Sequence, residues 1–375
     1  MNDPIYLDYN ATTPVDPRVT EAMLPWLTED YGNPSSDHVY GRRARIAVDH
    51  ARGEVATLIG AQPDEIVFTS CATEANNLAI LGVARARPER RELCYSAVEH
   101  PSVTQPMRHL AGAGWTVTEI DVDTAGRVDP EILAVSRDTA LVSVMLANNE
   151  VGTVQPIGAI ATRAQAAGAL MHVDAAQAVG KIAVDVNQLG ADLVTLAGHK
   201  FYAPKGVGAL YVRAGTPLVP ILFGANHERG LRPGTENVAA IVALGEAARL
   251  ARQQLAEEST RLATLRDQLQ QRLAGAIPQL QLNGHRSERL PNTLNVSFPG
   301  LSGWQLLAAA RGVAAATGSA CHSGRQAVSA VLAAMGCAPE RAHGAVRFSL
   351  GRFTTAVEID AAAVALIAAW ESLRD

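Results

Sequence analysis

The chain has 375 residues, 48% of them hydrophobic, and a formal net charge of −5. That length buries a substantial core in two domains or one large one, which excludes a disordered or fibrous protein. A mild negative charge without any polybasic run argues against nucleic acid or a membrane surface as partner and leaves small molecules and other proteins.

The N-terminal MNDPIYLDYN lacks the charged start and apolar stretch of a secretory leader. No segment approaches the ~20 uninterrupted apolar residues of a membrane span. A soluble, cytoplasmic protein is expected. From about residue 45 to 255, short apolar runs alternate with longer helical patterns. The strand candidates are 66–70, 93–96, 116–120, 141–146, 170–173, 193–196 and 207–212. Such runs mark a mostly parallel sheet with helices on both faces, an α/β domain. Residues 238–273 read as one or two helices leading away from it. Beyond the loop NGHRSERLPN, strand-like 294–298 and 346–350 flank helical segments and predict a smaller α+β domain.

Four cysteines, Cys71, Cys94, Cys321 and Cys337, are too few and scattered for a disulfide framework, and none has the C-x-x-C spacing of a zinc site. No metal is expected. Cys94 and Cys337 read as small buried hydrophobes. Cys321 differs, because ATGSACHSG surrounds it with Gly, Ser and Ala. That segment suits an accessible thiolate beside His322 rather than a core residue.

Only three lysines stand among the 32 basic residues, Lys181, Lys200 and Lys205, all within 181–205. Arginine stays protonated, whereas a desolvated lysine can lose its proton and condense with an aldehyde. Lys200 follows a predicted strand in GHK. Asp174 and Gln177, in HVDAAQ, end the strand before it, at the sheet edge where open α/β folds bind ligands. Alone, Asp174 reads as a helix-capping or metal-binding carboxylate, but amine and carboxylate together would meet an aldehyde and a protonated ring nitrogen, as pyridoxal phosphate requires. Lys205 reads as a loop charge and Lys181 as structural. In TSCATEANN a strand runs into a helix start, so backbone N–H groups and the Thr73 hydroxyl could cradle a phosphate. Thr is also a common N-cap. His100, in EHPSV, can stack on a flat cofactor or relay protons. His199 is placed to bind phosphate, and His172 to pack in its strand.

Taken in order, YLDYNATTP, GNPSS, TSCATEANN, EHPSV, NNEVGTVQPI, HVDAAQAVGK, GHKFYAPKGVGALYV, ERGLRPGTENV, LPNTLNVSF, GSACHSG and RFSLGRFT resemble the cysteine desulfurases, pyridoxal phosphate enzymes of fold type I. The resemblance implies a seven-stranded, mostly parallel sheet in a large domain at 15–255. It implies a small domain, 1–14 with 256–375, carrying a mobile cysteine loop. Lys200 would hold the cofactor as a Schiff base, Asp174 pair with its ring nitrogen, and Gln177 contact its phenolic oxygen. His100 would stack on the ring, while Ala72, Thr73 and His199 bind the phosphate with Thr235 from a second subunit of a homodimer. Asn149 and Arg352 would grip the carboxylate of L-cysteine. Cys321 would take the sulfur as a persulfide and pass it to an acceptor protein for iron-sulfur cluster assembly, thio-cofactors or tRNA thiolation, with His100 moving a proton at the substrate thiol.

Three departures stand out. Ala197 replaces a serine that many relatives use for the phosphate, so that contact is lost or passes to Thr195 or water. Cys71 occupies a position that is commonly Gly, and FGANHERG replaces a more Gly-rich loop. Selenocysteine lyases share the fold, cofactor and an ACHS-like run, and are the alternative. An aminotransferase would need no GSACHSG, and a non-catalytic scaffold would not need Lys200, Asp174 and Cys321.

Overall fold

The computed structural model describes residues 3–317 and 328–374. Its central sheet has seven strands in the spatial order Ile66–Thr69, Gly208–Val212, Leu193–Ala197, Leu170–Asp174, Thr139–Ser143, Glu92–Ser96, Thr116–Ile120. Every pairing is parallel except the two made by Gly208–Val212. All seven strands expected from the apolar runs are present, with ends shifted by at most three residues and Thr116–Ile120 matched at both.

Alternation along these strands builds two cores, because successive side chains leave opposite faces. Phe68, Cys94, Val142, Val194 and Tyr211 face one side, with Val48, Val55 and Leu244 from covering helices. Val67, Leu93, Leu141, Leu193 and Leu210 face the other, against Leu78, Val83 and Met107. The helices Val39–Ile59 and Val238–Ala276 cross closely at Gly245, where a Cβ would lie 2.6 Å from the Ala51 Cα.

Residues 238–276 form one uninterrupted helix of 39 residues. Its first third, through Ala251, packs on the large sheet. Leu262, Leu265, Leu269 and Leu273 pack on a second core with Leu294, Phe348 and Leu366. The change of core therefore falls inside a helix rather than in a linker. The second core covers an antiparallel sheet, Ala345–Ser349 beside Thr293–Ser297 beside Gln281–Asn283, and Ile5–Tyr6 pairs in parallel with Val313–Ala314. The N-terminal segment thus lies where the two cores meet, and residues 8–13 hydrogen-bond to both.

Candidate active site

A cavity of about 370 Å³ opens at the carboxyl ends of the central strands, within the ~300–1,000 Å³ usual for small-molecule sites. Lys200 lies in the turn Gly198–Lys200 directly after the strand Leu193–Ala197, and Asp174 ends the adjacent strand. Both line the cavity, with Gln177, His100, Thr73, Ala72, His199 and Asn149.

The Lys200 Nζ donates to the main-chain oxygens of Asn10 (2.6 Å) and Ala11 (2.8 Å). Burial, then the charge of Arg347, pull its pKa down to about 8, against the opposing pull of Asp174 and Asp8. About a tenth of the amine is therefore free base at pH 7, far more than for an ordinary lysine. Asp174 accepts from the Ala176 N–H (2.9 Å) and the Asn76 Nδ2 (2.8 Å), which hold its carboxylate at the cavity wall. Gln177 donates from Nε2 to the Asn10 carbonyl (2.9 Å), and its Oε1 accepts from the buried Lys181 (2.6 Å).

The helix Ala72–Ala86 starts at the cavity, and its N-cap Cys71 makes no side-chain cap. First-turn N–H groups are thus left for an anion, where the helix dipole favours negative charge. His199 reaches the Thr12 hydroxyl (3.1 Å), and burial followed by the charge of Lys200 pushes its imidazole down to about 4. It meets an anion as a neutral group. An uncapped helix start, a carboxylate and a partly deprotonated amine around one cavity fit the phosphate, ring nitrogen and aldehyde of pyridoxal phosphate.

Two sequence expectations are corrected here. Arg352 does not line the cavity. It turns to Asp16 (2.6 Å) and Glu258 (3.4 Å) and stacks over Tyr202, 4.3 Å from the ring centre. Arg347 lines the cavity instead, bonded to the Asn149 carbonyl (3.0 Å) and Asp8 (2.7 Å), with its Nε unpartnered. Thr195 does not replace the missing serine hydroxyl at Ala197. It is fully buried and pairs with His172, itself pushed down to about 4 by burial.

Thr235 is exposed and outside the cavity. Cys321 and His322 lie outside the described residues. Cys94 is buried as expected, whereas Cys337 is only half-buried, at a second cavity that also holds Arg341. Sequence reasoning missed Asn10, Asn76 and Ser102 as well as Arg347. Arg347 carried a signal, since an arginine inside the apolar strand VRFSL needs a buried partner or a ligand to be there. Asn10, the meeting point of Lys200, Gln177 and Lys181, carried none.

The class-V aminotransferase family model matches residues 5–362. Cysteine desulfurase 2 of Trichormus variabilis is 49% identical over 360 residues, covering 95% of this chain and 90% of that protein. Cysteine desulfurase NifS of Azotobacter vinelandii is 46% identical over 361 residues, covering 95% and 90%. A solved NifS-like protein superposes with a TM-score of 0.91 at 38% identity, covering 99% of both chains.

Proposed function

We infer the activity of a chain that belongs to the class-V aminotransferase family and, within it, to the cysteine desulfurases. It is a pyridoxal phosphate enzyme of fold type I that converts L-cysteine to L-alanine and retains the sulfur. The observation carrying this reading is the meeting of Lys200, Asp174 and the uncapped start of Ala72–Ala86 around one cavity beside Arg347.

In this reading Lys200 holds the cofactor, Asp174 pairs with its ring nitrogen, Gln177 with its phenolic oxygen, and Ala72, Thr73 and His199 with its phosphate. When bound, pyridoxal phosphate supplies an electron sink for the bonds at the substrate α-carbon. Arg347, in place of Arg352, and Asn149 bind the carboxylate, for which a guanidinium offers a fork. The freed Lys200 amine, with its lowered pKa, moves the α-proton. His100 faces the substrate sulfur. The Cys321 thiolate bonds to that sulfur as the carbon–sulfur bond breaks. L-cysteine and one thiol become L-alanine and one persulfide, with no outside oxidant.

The persulfide passes to an acceptor protein for iron-sulfur cluster assembly or thiolation. The active form is a homodimer, supported by the exposed apolar residues Leu24, Leu27, Tyr31 and Tyr40 and by the exposed Thr235. Among the described residues no helix is long and apolar enough to cross a membrane. A thiol acceptor needs a reducing compartment, which supports the cytoplasm.

Alanine release from L-cysteine with a reductant, in wild type and Cys321→Ala, tests the reading. Turnover by wild type alone is expected. Turnover by both removes Cys321 as acceptor, and turnover by neither in the cofactor-loaded protein overturns L-cysteine as substrate and turns attention to selenocysteine.

A further inference from the structure

A chain of hydrogen bonds runs behind the cavity wall from Asp174 to His100. The Asn76 Nδ2 lies 2.8 Å from the Asp174 Oδ2 and 2.8 Å from the Ser102 Oγ. The Ser102 Oγ lies 2.8 Å from the His100 Nδ1, and the Ser102 backbone N–H donates to the same nitrogen at 3.1 Å. Asn76 is fully buried and Ser102 buried, while the His100 ring is exposed on the cavity side.

The partners assign every proton in this chain. A carboxylate only accepts, so the Asn76 atom facing Asp174 is its amide nitrogen. That nitrogen has two hydrogens, and the second points to the Ser102 oxygen. The orientation holds although it leaves the Asn76 Oδ1 buried without a partner. Ser102, already accepting from Asn76, gives its own hydrogen to the His100 Nδ1. A backbone N–H can do nothing but donate. Two donors therefore converge on Nδ1, and the proton of the neutral ring is on Nε2.

We propose that Asn76 and Ser102 are positioning residues that lock His100 as the neutral Nε2–H tautomer, so that it meets the substrate sulfur as a hydrogen-bond donor and not as a base. The one basic nitrogen of the ring is covered by two donors, and accepting a proton there requires Ser102 to turn away. Burial lowers the pKa of this imidazole below its ordinary value, in the same direction. The charged groups acting on the ring are Asp174 and Lys200, and His109 is the other titratable group lining the neighbouring groove. The inference rests on the reading of His100 as the residue facing the sulfur, and its test does not depend on turnover.

The test is nitrogen NMR of the holoenzyme labelled with 15N-histidine, with His100→Gln to assign the ring. Wild type should show an unprotonated Nδ1 and a protonated Nε2 from pH about 8 down to about 6, below which an ordinary imidazole is charged. In Ser102→Ala the ring should titrate at higher pH, and kcat/KM should fall about threefold to tenfold, as for one neutral hydrogen bond. Ser102→Thr, which keeps the hydroxyl, should restore both. A protonated Nδ1 in wild type overturns the proposal, as does a Ser102→Ala ring with wild-type tautomer and titration. Alanine release is measured separately, so the expected tautomer without alanine overturns the desulfurase reading, and with it the role toward the sulfur, while a wrong tautomer with alanine overturns only the tautomer lock.

Discussion

Lys181 donates to the Oε1 of Gln177 over 2.6 Å and to the Oδ1 of Asn10 over 3.1 Å. Burial, then the charges of Lys200 and Arg347, hold the Lys181 amine far below its ordinary pKa. This lysine donates to both groups and so fixes which end of the Gln177 amide faces Asn10. Lys181→Met keeps the apolar stem but leaves the Gln177 oxygen without its donor. A buried acceptor so orphaned costs about 1–3 kcal/mol. The apoprotein should unfold at lower urea concentration and bind pyridoxal phosphate more weakly. Wild-type values in both measurements would mean that Gln177 is held by something else.

Arg347 and Arg352 should separate cleanly in kinetics. Losing a charge-assisted hydrogen bond to the substrate carboxylate costs about 1.5–3 kcal/mol, so Arg347→Gln should lose about tenfold to 150-fold in kcat/KM. Arg352→Gln should leave KM near wild type and lower stability by about 1–3 kcal/mol. The Asp16 carboxyl is held well below its ordinary 3.8, first by Arg18 and then by Arg352. A depressed carboxylate stabilises the fold above its unfolded pKa and loses that contribution as pH falls. The Arg352→Gln deficit should accordingly be full at neutral pH and shrink below pH 3.8. A KM effect in Arg352→Gln with none in Arg347→Gln would reverse the assignment.

What sequence could and could not tell about this site divides along physical lines. The inner strands were legible because each is an apolar run buried on both faces, as in Leu193–Ala197, and Lys200 and Asp174 were legible because they sit directly at strand ends. Arg347 and Arg352 share one short segment, but Arg347 lies in the strand Ala345–Ser349, where register sets its direction, and Arg352 in the turn after it. That register depends on pairing with Thr293–Ser297 and on the ion pair with Asp8, 339 positions away in sequence. Asn10 was hidden for the same reason. Its partners Lys181, Asn292 and Thr293 come from distant parts of the chain, and no local pattern announces such a junction.

The pH dependence of cofactor capture should report Lys200 directly. Only the free-base amine condenses with an aldehyde. With a pKa of about 8 in the folded apoprotein, the rate of covalent capture of pyridoxal phosphate should rise with pH, reach half its maximum near pH 8 and level off above it. The positive charge of Arg347 is the second cause of that low value, after burial. Arg347→Gln should therefore move the half-maximum upward, toward the ordinary lysine value of 10.5. The measurement is the absorbance change on mixing at a series of pH values, with Lys200→Arg as the control that captures nothing covalently. A midpoint unmoved in Arg347→Gln would show that burial alone sets the amine.

Dimer formation and cofactor affinity should fall together if a second subunit completes the phosphate site. Leu27 and Tyr31 are 59% and 72% exposed, too much apolar surface to leave wet on one short helix and the loop after it. Leu27→Asp with Tyr31→Asp should give a monomer by light scattering without unfolding, because neither side chain belongs to a core. Thr235→Ala should remain a dimer. Both proteins should bind pyridoxal phosphate more weakly than wild type, since each loses the same hydroxyl from the phosphate, and the monomer should lose more because the whole partner surface goes with it. Wild-type affinity should itself rise with protein concentration across the dimerisation range, by mass action. A monomer with wild-type affinity would place Thr235 outside the site and leave the phosphate to Ala72, Thr73 and His199 alone.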